Sequence, residues 1–180
     1  MILFPEALRT QATSILETCR KAGVMVTTAE SCTGGLIAAV LTEIPGASAV
    51  IDRGFITYSN AAKIALLDVP AYVLETCGAV SESVARAMAK GALMHCPAVH
   101  FAIGVTGIAG PNGGSPARPV GLVHIAVARR DGVTLHQKAL FSGERTNVRL
   151  ATVAAALALL AVGIQGPRKE KGIEEGVGEA

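Results

Sequence analysis

The spacing of apolar residues changes near residue 30, from a pattern typical of a strand to a pattern typical of a helix. Residues 24–28 are rich in β-branched side chains, which is typical of a strand. Residues 36–41 place apolar side chains at helical spacing and are mostly good helix formers. Gly34 and Gly35 stand in the short segment between them. The pattern predicts a strand that leads into a helix through a tight turn.

The remaining pattern alternates between helical and extended segments. A second strand is predicted to end at Tyr58 and to lead into a short helix that stops at Pro70. This alternation predicts an α/β fold in one domain, residues 1–164. Residues 165–180 lack apolar periodicity and are predicted to be a disordered tail. The other predicted elements are helices at 6–21, 80–94 and 151–164, a strand at 99–106, and a hairpin of strands at 119–128 and 133–141.

Composition narrows the partners that such a domain can have. The chain has 180 residues, a formal net charge of +2, no Trp and 3% aromatic residues. So small a charge argues against a polyanionic partner, and sparse aromatics argue against single-stranded nucleic-acid binding. The longest apolar run, residues 151–164, is shorter than the roughly 20 residues needed to cross a bilayer. We therefore expect no nucleic-acid and no membrane partner, and a small anionic ligand is compatible with the composition.

The cysteines and histidines are widely scattered along the chain. The four cysteines show no Cys-x-x-Cys spacing, and the N-terminus lacks an export-signal pattern, so reduced thiols and a cytoplasmic location are predicted. The four histidines show no metal-ligand spacing and are predicted to be structural, with no metal or other cofactor. Cys32 lies next to Ser31 but has no histidine near it, which makes it the weaker candidate nucleophile.

The turn at Ser31 has two interpretations. Serine at the junction of a strand and a helix most often caps the helix. It can also expose its hydroxyl as a nucleophile, with the first N–H groups of the helix forming an oxyanion hole. A second junction repeats this order, because Tyr58 ends a strand and Lys63 follows about one turn into a helix. Lys63 is accordingly either an ordinary surface lysine or a buried base for Ser31.

A glycine-rich loop and two arginines suggest an anion site. Residues 106–116 contain four glycines and two prolines directly after an apolar strand, and so long a loop is usually functional or disordered. Arg145 and Arg149 are four residues apart and share a face if the helix begins at or before Arg145. They are either a solvated pair or a clamp for an anion at the mouth of the glycine-rich loops.

Several segments together resemble one known family. They are residues 28–35, 58–63, 78–81, 104–111, 113–114, 119–121 and 141–145. In this order, from about Pro5 to Ile164, they resemble the CinA C-terminal domain family, whose characterised members are nicotinamide-nucleotide amidases. The resemblance implies a three-layer α/β/α sandwich around a mixed, mostly parallel five-stranded sheet. It also implies hydrolysis of nicotinamide mononucleotide to nicotinate mononucleotide and ammonia without a metal, and family analogy suggests a homo-oligomer.

The resemblance also assigns roles to residues. Ser31 would be the nucleophile and Lys63 the base, with Tyr58 beside them to relay the proton or to hold the amine. Arg145 would contact the substrate, and we add Arg149 from its helical spacing. The other expected substrate-binding residues lie in the two junctions and in the glycine-rich loop: Glu30, Thr33, Gly34, Gly35, Asn60, Thr106, Gly107, Ala109 and Gly110.

Two other classes of function compete with an amidase. The chain would be a nucleotide-binding or regulatory module if it kept the fold and pocket but turned nothing over. It would be an assembly subunit if its apolar surface served chiefly to bind other chains. Ligand-dependent melting without ammonia release would favour the binding module, and light scattering would test the assembly subunit.

Overall fold

The computed structural model describes residues 3–166, and these contain a five-stranded sheet of order β2-β1-β3-β4-β5. Strand β1 pairs in parallel with β2 and β3, whereas the pairs β3–β4 and β4–β5 are antiparallel. The sheet is therefore mixed, as predicted, but "mostly parallel" overstates it, because the C-terminal hairpin supplies two antiparallel pairings. The strands are β1 (Val26–Glu30), β2 (Ile51–Ile56), β3 (Phe101–Gly107), β4 (Leu122–Arg129) and β5 (Leu135–Leu140).

Helices cover both faces of the sheet and give the predicted three layers. Helices α1, α2 and α6 bury apolar residues against one face, and α3, α4 and α5 bury theirs against the other. The first face is lined by large side chains such as Ile103 and Val105, and the second by small ones such as Ala102 and Ala126. The helices are α1 (Glu6–Ala22), α2 (Leu36–Thr42), α3 (Asn60–Leu67), α4 (Ala71–Cys77), α5 (Glu82–Met94) and α6 (Arg145–Gln165).

Small residues on the second face let helix α5 lie close to the sheet. A Cβ atom added at Gly104 of β3 would stand 2.4 Å from the Ala85 carbonyl oxygen of α5. A Cβ added at Gly91 of α5 would stand 1.9 Å from the Leu67 carbonyl oxygen at the end of α3. These contacts leave no room for a side chain, so α3, α5 and β3 are fixed closely against one another. The segment just before α5 is thereby placed beside the carboxyl end of β3.

Helix α6 is longer than the apolar run that predicts it. It has 21 residues, and by length and composition alone it is the one helix within residues 3–166 that would cross a membrane. One of its faces is fully buried in the core, through residues such as Val153, Leu157 and Leu160, as in a core helix. Its last residue is Gln165, so the predicted disordered tail lies almost wholly outside the described residues.

Candidate active site

The structure brings the two strand-to-helix junctions together. Ser31 follows β1, and Lys63 lies in α3, which follows β2, the parallel neighbour of β1. Adjacent parallel strands end at the same edge of a sheet, so the two junctions meet there. The Lys63 Nζ lies 3.1 Å from the Ser31 Oγ, and the two residues are only 1% and 8% exposed. A hydroxyl and an amine are thus in direct contact in a nearly dry site.

The surroundings of Lys63 suit a neutral amine. Its Nζ lies 2.8 Å from the Thr57 carbonyl oxygen and 3.4 Å from the Tyr58 carbonyl oxygen, with no carboxylate in contact. A neutral amine has two N–H donors and one lone pair, so both donors can serve the carbonyls while the lone pair accepts the Ser31 O–H. Burial lowers the pKa of Lys63 below the ordinary lysine value of 10.5. The lowered pKa favours the neutral form of the amine, which is the form that accepts a proton.

Glu30, predicted to contact the substrate, lies beneath the turn and is absent from the cleft lining. The side chain is fully buried, and its carboxylate accepts the N–H groups of Gly35, Ile37 and Ala38 at 3.0, 3.1 and 2.9 Å. A buried carboxylate needs such donors, and the first turn of α2 supplies them. Glu30 therefore holds the turn and uses N–H groups that the sequence assigned to the oxyanion hole.

Two N–H groups of the turn, those of Cys32 and Thr33, are the candidates for an oxyanion hole. The Ser31 N–H donates to the Val105 carbonyl, and the Gly34 N–H donates to the Ser31 carbonyl. The N–H groups of Cys32 and Thr33 contact the Cys32 thiol and, within residues 3–166, donate to no carbonyl or carboxylate. Burial raises the pKa of that thiol to about 11, so Cys32 is neutral and a poor nucleophile. This agrees with its ranking below Ser31.

A cleft of about 200 Å³ opens in front of Ser31 and Lys63. Asn60, Thr106, Gly107, Ala109 and Arg145 line it as the sequence predicted, together with Tyr58. Ala79 and Val80 also line it, although the sequence assigned them no role. The sequence could have indicated them, because segment 78–81 carries part of the family resemblance. The segment has no polar side chain that reaches the cleft, so it was given no role. The full lining is Ser31, Cys32, Tyr58, Asn60, Lys63, Ala79, Val80, Thr106, Gly107, Ala109 and Arg145.

Arg145 stands at the mouth of the cleft. Its guanidinium donates to the Gly110 carbonyl at 2.9 Å and to the Tyr58 hydroxyl at 3.2 Å. The Tyr58 hydroxyl is thus engaged with Arg145, while the Tyr58 backbone carbonyl contacts Lys63. This geometry favours Tyr58 as a holder of the amine over Tyr58 as a proton relay. A second cavity, of about 500 Å³, shares Ala109 and Arg145 with the cleft.

The other predicted substrate contacts lie outside the cleft. Thr33, Gly34, Gly35 and Gly110 contribute backbone to the turn and the loop, and their side-chain positions do not line the cavity. Gly34 and Gly35 have φ values of +59° and +93°, which favour glycine, so they shape the turn. Arg149 donates to the Thr33 carbonyl at 2.8 Å rather than reaching into the cleft. Its predicted substrate contact stays a prediction.

Two of the four histidines, His124 and His136, form a pair that does not line the cleft. The Nδ1 of His124 and the Nε2 of His136 are 3.0 Å apart, and Glu82 lies 3.4 Å from the other nitrogen of His136. Across residues 3–166 no group of three or more His, Cys, Asp or Glu side chains has the arrangement of a metal site. The pair joins α5 to the β4–β5 hairpin.

Comparison with known proteins gives concordant matches. The family model described as the CinA C-terminal domain matches residues 8–164. A nicotinamide-nucleotide amidohydrolase PncC of Enterobacter agglomerans is 53% identical over 135 residues, which are 75% of this chain and 82% of that protein. A CinA-like protein of Anaeromyxobacter sp. (strain Fw109-5) is 50% identical over 143 residues, 79% of this chain. The chain spans only 34% of that longer relative.

Solved structures give the same result. The crystal structure of the competence/damage inducible protein CihA from Agrobacterium tumefaciens superposes with a TM-score of 0.88 at 51% identity. The match covers 92% of this chain and all of that one. Most of this chain therefore shares its fold with a solved protein.

Proposed function

The chain belongs to the CinA C-terminal domain family, and on this premise we propose that it is an amidohydrolase that deamidates nicotinamide mononucleotide to nicotinate mononucleotide and ammonia. The observation that carries the proposal is the 3.1 Å contact between Ser31 Oγ and Lys63 Nζ, two buried side chains at the base of the cleft. The name of the Enterobacter agglomerans relative supports the substrate. A binding module that turned nothing over would not need a buried amine against a hydroxyl.

The reaction starts with attack of Ser31 on the carboxamide carbon. Neutral Lys63 accepts the hydroxyl proton as the Oγ–C bond forms, and the carbonyl oxygen becomes an oxyanion that the N–H groups of Cys32 and Thr33 stabilise. The lysine ammonium then gives its proton to the amide nitrogen, the C–N bond breaks and ammonia leaves. The product of this half is an ester between Ser31 and the nicotinate mononucleotide moiety.

Water completes the reaction through the same pair of groups. Lys63, neutral again, accepts a proton from a water molecule that attacks the ester carbon. Collapse of the second tetrahedral intermediate returns the proton to the Ser31 oxygen and releases nicotinate mononucleotide. Every proton transfer uses the lysine amine, so this scheme needs neither a metal nor an organic cofactor.

The substrate is placed by the size and charge of the cleft. The pyridine carboxamide would occupy the 200 Å³ cleft, where Asn60 and the walls formed by Ala79 and Thr106 surround it. The Thr106 hydroxyl donates to the Ala79 carbonyl, so it stabilises the wall. The phosphate would lie near Arg145, whose guanidinium suits a phosphate oxygen pair.

A cytoplasmic location and a homo-oligomeric state belong to the same proposal. The four cysteines are free thiols, and three of them are buried, which suits a reducing cytoplasm. Family analogy supports a homo-oligomer, and multi-angle light scattering of the purified chain would measure its mass in solution. A monomer at all concentrations would contradict that part of the proposal.

The experiment that tests the function is direct. The purified chain is incubated with nicotinamide mononucleotide, and ammonia and nicotinate mononucleotide are quantified over time. We expect the two products in equal amounts, and much slower release from free nicotinamide, which lacks the phosphate for Arg145. Substrate-dependent thermal stabilisation without any ammonia would contradict the proposal and favour the binding module.

A further inference from the structure

Arg149 is committed to the turn that carries Ser31. Its Nη2 donates to the Thr33 carbonyl at 2.8 Å, and its Nε is buried without a hydrogen-bond partner among the described residues. Arg149 does not line the cleft. From this geometry, and resting on the proposed amidase function, we propose that Arg149 is a positioning residue that holds the oxyanion donors of the Ser31 turn.

The turn is built to receive this guanidinium. Gly34 has a φ of +59°, and a Cβ atom added there would stand 3.3 Å from the Arg149 Nη2. The absence of a side chain at Gly34 therefore gives the guanidinium its place over the turn.

The contact fixes the peptide units on which catalysis depends. The Thr33 carbonyl accepts from Arg149 at 2.8 Å and from the Leu36 N–H at 3.3 Å, while the next N–H, that of Gly34, donates to the Ser31 carbonyl. Arg149 therefore fixes the peptide unit between Thr33 and Gly34, whose N–H closes the turn onto the Ser31 carbonyl. In this way it holds the turn in which the Cys32 and Thr33 N–H groups lie.

Helix α6 delivers both arginines to the site. Arg145 and Arg149 are one helical turn apart, and one reaches the mouth of the cleft while the other reaches the turn beneath it. Their roles separate by kinetics. Loss of a substrate contact raises KM, whereas loss of alignment in the oxyanion hole lowers kcat.

The test compares Arg149→Met and Arg149→Gln with Arg149→Lys. We expect kcat for ammonia release from nicotinamide mononucleotide to fall about 10- to 100-fold in the first two, with KM changed by less than about threefold. Arg149→Lys should recover most of the lost kcat, because only one N–H of the guanidinium is used. Labelling of Ser31 by a fluorophosphonate, followed by intact mass, should fall in parallel.

Arg20→Met is the matched control. Like Arg149, Arg20 donates to one loop carbonyl, that of Pro45, and lies over a glycine with positive φ, Gly46. It lies on α1, and no residue of α1 lines the cleft. It should leave kcat and Ser31 labelling unchanged, and melting curves of all variants show whether each is folded. A second variant of different shape, Arg149→Gln, keeps the test valid if Arg149→Met does not fold.

The outcomes separate this inference from the proposed function. A rise in KM with kcat unchanged, or no change in either, would overturn the positioning role while leaving the amidase intact. Ser31 labelling that depends on Arg149 in a chain that releases no ammonia would sink the substrate proposal and support the positioning role. A loss of kcat in Arg149→Met that is not reduced at all in Arg149→Lys would also overturn the positioning role.

Discussion

Replacing Ser31 by alanine is expected to lower kcat for ammonia release by about 10⁴-fold or more, which is the usual loss when a serine nucleophile is removed. The Oγ is the atom that attacks the carboxamide carbon, and neither Cys32, with its raised pKa, nor any other side chain in the cleft replaces it. Steady-state release of ammonia from nicotinamide mononucleotide, measured for both proteins, gives the ratio.

The fold is expected to survive the change at Ser31. The lysine amine keeps its contacts to the Thr57 and Tyr58 carbonyls, and the Glu30 carboxylate still holds the turn. The melting temperature should therefore stay close to that of the wild type. Ser14→Ala, an exposed change on α1, is the control for both measurements. A Ser31→Ala variant that releases ammonia at the wild-type rate would remove Ser31 from the mechanism.

Replacing Lys63 by methionine is expected to lower kcat by about 10³-fold. This lies within the range for loss of a residue that acts first as general base and then, once protonated, as general acid. Methionine is close in length and apolar, so it fills the buried space that the lysine stem occupies. It leaves the Thr57 and Tyr58 carbonyls without a donor, which costs about 1–3 kcal/mol for each buried acceptor. That loss is opposed by the desolvation penalty of the amine, which the variant no longer has.

The pH dependence gives the sign of the Lys63 effect. Only the neutral amine accepts the Ser31 proton, so kcat/KM rises with pH until Lys63 is deprotonated. Because burial lowers the pKa of Lys63 below 10.5, the plateau should be reached below the pH at which an ordinary lysine titrates. Lys63→Met should show a flat, low profile, and Lys90→Met, at an exposed position on α5, should follow the wild type. A wild-type inflection at the ordinary lysine value would contradict a buried neutral base.

Much of the fold could be predicted because the spacing of apolar residues and the positions of Gly and Pro indicate the same elements. The turn at 29–35, the hairpin around Gly132 and the long apolar α6 are each marked by composition, and the family match over residues 8–164 confirms the resemblance. Helix α4, Ala71–Cys77, was missed. Pro70 predicts the end of the preceding helix, but proline also fits the position before a new helix, where its missing N–H costs nothing.

It is easier to predict from the sequence which residues lie close together than to predict what each side chain contacts. Parallel strands end at one edge of the sheet, so the meeting of Ser31 and Lys63 followed from two strand-to-helix junctions. The direction of a side chain within a tight turn does not follow from spacing, because a one-residue change points it to the other side. Glu30 therefore lies under the turn and Arg149 donates to the turn, and neither residue lines the cleft.

Tyr58 and the oxyanion donors are further cases in which the sequence does not predict which chemical group is used. The sequence offers a phenol and a set of helix N–H groups, whereas the structure uses the Tyr58 carbonyl on Lys63 and leaves the N–H groups of Cys32 and Thr33. Backbone groups carry no sequence signal of their own. Which of them remain available is decided only after Glu30, Val105 and Arg149 have taken their hydrogen bonds.

The most direct measurement is transfer of the acyl group to hydroxylamine during turnover of nicotinamide mononucleotide. An ester on Ser31 would be intercepted, so the hydroxamate of the nucleotide should form in proportion to added hydroxylamine, and Ser31→Ala should form none. Ammonia released at the full rate with nicotinate mononucleotide as the sole product, and no hydroxamate at any hydroxylamine concentration, would mean that water attacks directly and that Ser31 is not the nucleophile.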